Sequence, residues 1–141
     1  QGAMAANGGV RAARLRALKA DVQTRLTEGS SGREGALSLD ALSRRHGISP
    51  RYIRQLFAGE ETTLTDYVQA QRLALAYRML RDPRLAGQSI GAIAYDCGFS
   101  DQSYFNRCFR RRFGMAPGEA RAAGGGWGGE GEYGERRCFL P

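Results

Sequence analysis

The sequence predicts an all-α fold of about seven helices, in which two helix-turn-helix subdomains are joined by a long linker helix. Apolar residues recur three or four positions apart through most of the chain, which is typical of amphipathic helices. Two short helical segments end in a Gly-apolar-Ser turn, at 47–49 and at 98–100. Because the turns and the flanking apolar pattern repeat together, at an offset of 51 or 52 residues, we interpret them as two copies of one motif.

The charge balance of the 141 residues favours an anionic partner. Twenty Arg and one Lys stand against 14 acids, for a formal net charge of +7. The planar fork of Arg suits phosphate and guanine recognition. A GC-rich genome would also favour Arg codons, so that explanation of the Arg preference stays open, but it does not explain the net excess.

Cysteine usage and hydropathy limit the class of protein. The three cysteines are odd in number and too widely spaced for a metal knuckle, which favours a reduced protein without disulfides. The sequence has no apolar run of about 18 residues and no signal-peptide pattern. We therefore expect a cytoplasmic protein with no membrane partner, no cofactor, no bound metal and no catalytic residues.

Three segments are expected along the chain: a protease-cleavage scar with a disordered leader at 1–9, a folded domain at 10–123, and a flexible Gly-rich tail at 124–141. The domain begins with an amphipathic helix at 10–26, whose apolar face is expected to pack on the next helices of the chain. A basic helix at a membrane surface stays open as an alternative. The apolar face consists of Leu15, Leu18, Val22 and Leu26.

The first helix-turn-helix is expected at 38–57. Ser38 begins its first helix and Gly47 ends it. Ser49 caps the second helix, with Pro50 at the first helical position, where a missing N–H costs nothing. The second helix turns its apolar residues inward and its polar residues outward, the latter being Arg51, Arg54 and Gln55.

A linker helix is expected at 64–81. Thr63 and Asp66 have the spacing of a capping box, and Asp82-Pro83 ends the helix. About 18 residues make a rod of ~27 Å. With the width of the flanking helices, such a rod can hold two recognition helices about one DNA turn apart, ~34 Å.

The second helix-turn-helix is expected at 89–113. Gly98 permits a positive φ after its first helix, and Ser100 is the expected N-cap of its second. Relative to the first copy, one residue is inserted at the start of the second helix, at 101–103. That helix turns Tyr104 and two phenylalanines inward. Its outward side chains suit base edges and phosphates: Gln102, Ser103, Asn106, Arg107, Arg110 and Arg111.

Many positions agree in order and spacing with a known family. They are Gln71-Arg72-Leu73, Ala76, Leu80, Ser89-Ile90, Ile93-Ala94, Gly98-Phe99, Ser103-Tyr104-Phe105, Phe109-Arg110, Phe113-Gly114, Pro117 and Arg121. With the paired helix-turn-helix units, this stretch resembles the DNA-binding domain of the AraC/XylS transcription regulators. The similarity covers about Leu37 to Arg121.

The resemblance implies a bacterial activator or repressor that binds double-stranded promoter or operator DNA through two helices in adjacent major grooves. It also implies an effector domain that is missing from this sequence, taken as a fragment, and leaves contact with RNA polymerase subunits open. Carried over position by position, it implies base contacts from Arg51, Arg54, Gln55, Gln102, Ser103, Asn106 and Arg107.

Two positions depart from the family pattern, and both concern the last helix, which is expected at 117–123. Ala116 stands where a Ser usually caps that helix. Ala120 stands where an aromatic residue usually precedes Arg121.

Other charged residues receive secondary assignments. Arg112 is expected to pair with Asp96 or Asp101, Arg72 to form a buried structural ion pair rather than contact bases, and His46 to meet the last carbonyls of its helix. Phosphate contacts are assigned to Arg44, Arg45, Arg110 and Arg111.

The leading interpretation is sequence-specific binding of double-stranded DNA without catalysis, so no enzyme is expected. One alternative is a protein-interaction module that contacts RNA polymerase and binds DNA only weakly and without sequence preference. Another is DNA alkyl transfer to Cys97, Cys108 or Cys138, although Cys97 and Cys108 lie on apolar faces and are expected to be core residues.

Overall fold

The computed structural model describes residues 2–28 and 35–126, with side chains described for residues 8–28 and 35–124. The described residues contain seven α-helices, a short 3-10 helix at Pro83–Leu85 and no β-strand, which confirms the all-α prediction. The helices are α1 (Gly2–Thr27), α2 (Leu39–His46), α3 (Pro50–Ala58), α4 (Leu64–Leu80), α5 (Ile90–Asp96), α6 (Gln102–Phe113) and α7 (Pro117–Gly126).

The chain divides into two compact units, a first unit at Gln1–Gln71 and a second unit at Arg72–Pro141. The boundary falls inside α4. The first unit contains the first helix-turn-helix, α2 and α3, and the second unit contains the other, α5 and α6. No described helix has the length and apolar character that crossing a membrane requires.

Helix α1 begins earlier than the sequence indicates. The segment at 2–9, for which a disordered leader is expected, is the first part of α1. Its three alanines and one methionine favour a helix, although its three glycines do not. The face expected to pack inward is buried, and it belongs to the apolar core of the first unit: Leu15, Leu18, Val22, Leu26, Leu37, Ala41, Leu42, Ile53, Leu56, Phe57, Leu64 and Val68.

Side-chain caps begin the helices of the first unit where the sequence predicts them. The Ser38 hydroxyl accepts the Ala41 N–H at 3.1 Å, and Gly47 ends α2 in the left-handed region with φ +67°. The Ser49 hydroxyl accepts the Tyr52 N–H at 3.1 Å. Caps satisfy backbone groups that a helix end leaves without partners, so they fix where each helix begins.

The linker helix has the expected cap as well. The Thr63 hydroxyl accepts the Asp66 N–H at 3.0 Å. α4 ends at Leu80, and Asp82 then caps the short 3-10 helix by accepting the Arg84 N–H at 2.9 Å.

In the second unit, α6 is capped by Asp101 and not by Ser100. One Asp101 carboxylate oxygen accepts the Ser103 N–H at 2.9 Å and the Tyr104 N–H at 3.4 Å. A carboxylate at this position also interacts favourably with the positive end of the helix dipole. The inserted residue therefore lies in the turn after Gly98, which has φ +101°, and not inside α6.

The core of the second unit is built around phenylalanines of α6 and the preceding turn. The Phe109 side chain is fully buried. Its ring centroid lies 5.6 Å from that of Phe105, 4.6 Å from that of Phe113 and 6.4 Å from that of Tyr77. Tyr104 does not belong to this core: it is 43% exposed, so the prediction that it faces inward is wrong.

Helix α7 docks in spite of its two unusual residues. The Glu119 carboxylate accepts the Ala116 N–H at 2.7 Å, the bond that the Glu of a capping box makes back to the residue at the cap, and Ala120 is buried. Arg121 donates to the Leu85 carbonyl at 3.1 Å. α7 continues to Gly126, and residues 127–141 of the expected tail lie outside the described part of the chain.

Candidate nucleic-acid interface

Helices α3 and α6 present their polar side chains at the same positions relative to their caps. Arg51, Arg54 and Gln55 are the second, fifth and sixth residues after the Ser49 cap. The second, fifth and sixth residues after the Asp101 cap are again polar. They are Ser103, Asn106 and Arg107.

All seven residues that the sequence assigns to base contacts are exposed, as are Arg44, Arg110 and Arg111. On α6 they form two stripes, because residues four apart lie on one face of a helix. Gln102, Asn106 and Arg110 make one stripe, and Ser103, Arg107 and Arg111 make the other.

The first stripe borders a cleft of about 190 Å³. The start of α7 forms its other side. It is lined by Ile90, Gln102, Asn106, Arg110, Ala116, Pro117 and Gly118. The cleft therefore brings together two residues assigned to bases and one assigned to a phosphate.

Gln102 differs from the other candidates because its side chain lies against α5. A Cβ added at Gly91 would be 2.7 Å from the Gln102 side-chain oxygen. The absence of a side chain at residue 91 therefore makes room for the Gln102 amide. As the first residue after its cap, Gln102 corresponds to Pro50 of α3, which has no side-chain donor.

Tyr104 is a residue of this surface that the sequence analysis missed. The Arg107 guanidinium carbon lies 5.7 Å from the centroid of its ring. An exposed cation–π contact of this kind stabilises by ~0.5–1 kcal/mol, enough to favour one orientation of the Arg107 side chain. The phenolic hydroxyl is the feature of the sequence that could have indicated this exposure. A buried Tyr needs a protein partner for its hydroxyl, whereas at the surface water can bind it.

Arg72 packs beneath the turn of the second helix-turn-helix. A Cβ at Gly98 would lie 2.8 Å from its Nε, so the turn needs glycine for space as well as for its positive φ. Arg72 Nε is buried without a hydrogen bond, and no carboxylate within the described ranges pairs with this guanidinium. Burial lowers the Arg72 pKa.

The assigned phosphate contacts differ in their surroundings. Arg45 donates from Nε and Nη2 to one Asp21 oxygen, at 3.0 and 2.9 Å, so a phosphate would compete with Asp21 for this side chain. Arg112 has no ion pair with Asp96 or Asp101 in the described part of the chain, contrary to expectation.

Comparison with known proteins identifies the family. A family profile described as a helix-turn-helix domain matches residues 42–123, more than half of the chain. The transcriptional activator RhrA of Rhizobium meliloti (strain 1021) is 38% identical over 108 residues, which cover 77% of this chain and 32% of RhrA. The regulatory protein SoxS of Escherichia coli (strain K12) is 35% identical over 86 residues, which cover 60% of this chain and 78% of SoxS. The chain belongs to the AraC/XylS family of transcription regulators.

A solved structure shares the fold found here. The crystal structure of a DNA-binding transcriptional dual regulator from Escherichia coli K-12 matches with a TM-score of 0.63 and 25% identity, covering 74% of this chain and 95% of that one. The relatives named here are transcription regulators. This chain spans about a third of the length of RhrA.

Asp21 of α1 connects two arginines and a histidine of the first unit of this AraC/XylS chain. Besides Arg45, it accepts from Arg25 Nε at 2.8 Å, and His46 Nε2 lies 2.8 Å from the same carboxylate. Among the described residues the His46 ring therefore meets Asp21 and not, as expected, the last carbonyls of its own helix. Burial alone would raise the Asp21 pKa, but the hydrogen bonds from His46, Arg45 and Arg25 outweigh it, and the net pKa is lowered.

Asp21→Asn is expected to lower the free energy of unfolding at pH 7 by about 1–3 kcal/mol, because Arg25, Arg45 and His46 lose the carboxylate that they share. The folded-state pKa of Asp21 is depressed, so its stabilisation is present above the ordinary value of 3.8 and is lost as the pH falls through the lowered value. Urea titrations across this range measure the effect.

The exposed Glu61 provides the matched control. Glu61→Gln is expected to change stability by less than ~0.5 kcal/mol. A difference between Asp21→Asn and the wild type that stays constant down to the most acidic pH tested would contradict the assigned role.

Cys97 of the second unit is buried, and its thiol donates to the Met79 sulfur at 3.7 Å. Burial, with a smaller contribution from the charge of Asp96, raises the Cys97 pKa to about 12. A thiolate nucleophile is thereby disfavoured at this position. Cys108 is also buried, and Cys138 lies outside the described residues.

Proposed function

We propose that this AraC/XylS-family chain binds specific sequences of double-stranded promoter DNA, with α3 and α6 reading successive segments of the major groove. The observation that carries the proposal is the match of the two helices when each is counted from its cap. Both present exposed polar side chains at the second, fifth and sixth positions. In helix-turn-helix proteins the N-terminal residues of the second helix contact base edges.

The residues at these positions suit different bases. Arg makes a bidentate contact with the O6 and N7 atoms of guanine, and Asn or Gln makes one with adenine. α3 offers Arg51, Arg54 and Gln55, whereas α6 offers Ser103, Asn106 and Arg107. Because the two sets differ, each helix would select its own sequence, and one copy of the chain would bind an asymmetric site.

Phosphate contacts supply affinity that does not depend on sequence. Arg44, Arg110 and Arg111 are exposed cations at or near ends of helices of the two motifs, and we assign them to the DNA backbone. Binding should therefore weaken steeply as salt concentration rises. Three features stay predictions of the family resemblance: contact with RNA polymerase, the binding of an effector, and the direction of regulation.

Selection of bound sites from a pool of random duplexes tests the proposal. We expect enrichment of two different short sequence blocks about one helical turn apart, and a footprint of about 20 base pairs on the enriched duplex. A duplex with both blocks scrambled is the control. Recovery of a random pool after repeated selection, with equal protection of the scrambled duplex, would refute sequence-specific binding.

A further inference from the structure

Two arginines of α1 converge on the first recognition helix. The guanidinium carbons of Arg11 and Arg14 lie 5.8 and 5.6 Å from the centroid of the Tyr52 ring. Both arginines are exposed, and Tyr52 is half-buried. Tyr52 is the third residue after the α3 cap, next to the base candidate Arg51. The pair therefore borders the end of α3 that is proposed to enter the groove.

Within residues 8–28 and 35–124, no carboxylate balances this pair. Neither Arg11 nor Arg14 forms an ion pair with any carboxylate of the described segments. Elsewhere in the same unit, where Arg25, Arg45 and His46 converge, Asp21 lies at the centre. Two guanidinium groups that share one ring repel each other, so an anion that bridges them would stabilise the arrangement.

We propose that Arg11 and Arg14 bind phosphates of the DNA backbone beside α3, which makes α1 a third DNA-contacting helix. The proposal rests on the proposed function. The edges of a major groove about 12 Å wide are rows of phosphates, so cations that flank the N-terminal end of a recognition helix meet them. Guanidinium groups bind phosphate through paired, charge-assisted hydrogen bonds.

Tyr52 orients the pair. Its counterpart in the second unit is Tyr104, also the third residue after its cap and also beneath a guanidinium, that of Arg107 at 5.7 Å. In the second unit the cation comes from the recognition helix itself. In the first unit it comes from α1, which adds charge beside α3 without using a position of that helix.

The salt dependence of DNA binding tests this site. Arg11→Gln with Arg14→Gln is expected to reduce the slope of log K against log salt by about 1.8, the value for two phosphate contacts. The slope should fall equally on the selected duplex and on its scrambled control, because phosphates carry no sequence information. Arg11→Lys with Arg14→Lys should keep most of the slope, since the charge remains.

Arg16→Gln is the matched control, with the same charge change on the same helix. Arg16 is exposed and lies about 200° around α1 from Arg14. The slope of log K against log salt for Arg16→Gln is expected to equal that of the wild type. Circular dichroism verifies the fold, and if the double variant does not fold, Arg14→Gln alone should lower the slope by about 0.9.

Three outcomes would overturn the proposal. The first is an unchanged slope in folded Arg11 and Arg14 variants, and the second is an equal loss from Arg16→Gln. The third is binding to phosphatidylserine vesicles that the double variant loses while its DNA slope stays unchanged, which would assign the pair to a membrane surface. A wild type with no preference for the selected duplex would refute the proposed function, but the slope comparison would still report the phosphate contacts.

Discussion

Phe109→Ala is expected to lower the free energy of unfolding by about 3–5 kcal/mol, the usual cost of removing a fully buried phenyl ring. Phe109 is 0% exposed and lies at the centre of the aromatic cluster of the second unit. Its neighbours come from α4 and α6, so the cavity would adjoin two helices. Urea titration, with both midpoint and slope recorded, measures the loss.

Two other substitutions in the second unit calibrate this loss. Phe109→Leu keeps most of the buried volume and should cost much less than Phe109→Ala. Tyr95→Ala removes an aromatic side chain that is 69% exposed and should change stability by less than ~0.5 kcal/mol. Equal losses for Phe109→Ala and Tyr95→Ala would contradict the packing described here.

The positions of the helices could be predicted because glycines and N-cap residues mark their ends in the sequence. Gly47 and Gly98 occupy the left-handed region, where a side chain is strained. Ser38 and Ser49 cap α2 and α3 as the sequence indicates. Because a helix-ending glycine and a Ser in the turn occur in both segments, the sequence indicates two helix-turn-helix units and with them the fold class.

The cap of α6 could not be decided from the sequence. Ser100 and Asp101 are adjacent and both are good N-caps, so only the geometry of the carboxylate and the backbone N–H groups distinguishes them. The choice has a functional consequence. With Asp101 as the cap, Ser103, Asn106 and Arg107 of α6 fall at the positions of the three candidates on α3, and the extra residue lengthens only the turn.

Contacts between segments distant in sequence could not be predicted either. Asp21 meets Arg45 across 24 positions, and Arg14 meets Tyr52 across 38, with no periodicity that connects them. The sequence identified exposed cations by residue type. It could not show which of them pairs with a carboxylate, as Arg45 does, and which lies over a ring with no carboxylate partner among the described residues, as Arg14 does.

Replacing Arg54 and Arg107 together by alanine is expected to remove most of the sequence preference of the chain. Each Arg, if bidentate to a guanine, supplies about 1–3 kcal/mol of discrimination at one base pair. The two residues lie on different recognition helices, so their losses should appear at different positions of the selected site. Competition with duplexes that carry single base changes measures preference position by position.

Arg111→Ala is the matched control for this loss of preference. Arg111 lies one turn after Arg107 on the same stripe of α6 and is assigned to a phosphate. Its removal should weaken binding to all duplexes alike and lower the salt slope by about 0.9, with the base preference intact. If the Arg54 and Arg107 double variant instead behaved like Arg111→Ala, neither arginine would be a base contact. Direct recognition would then have to come from the amide and hydroxyl side chains of the two helices.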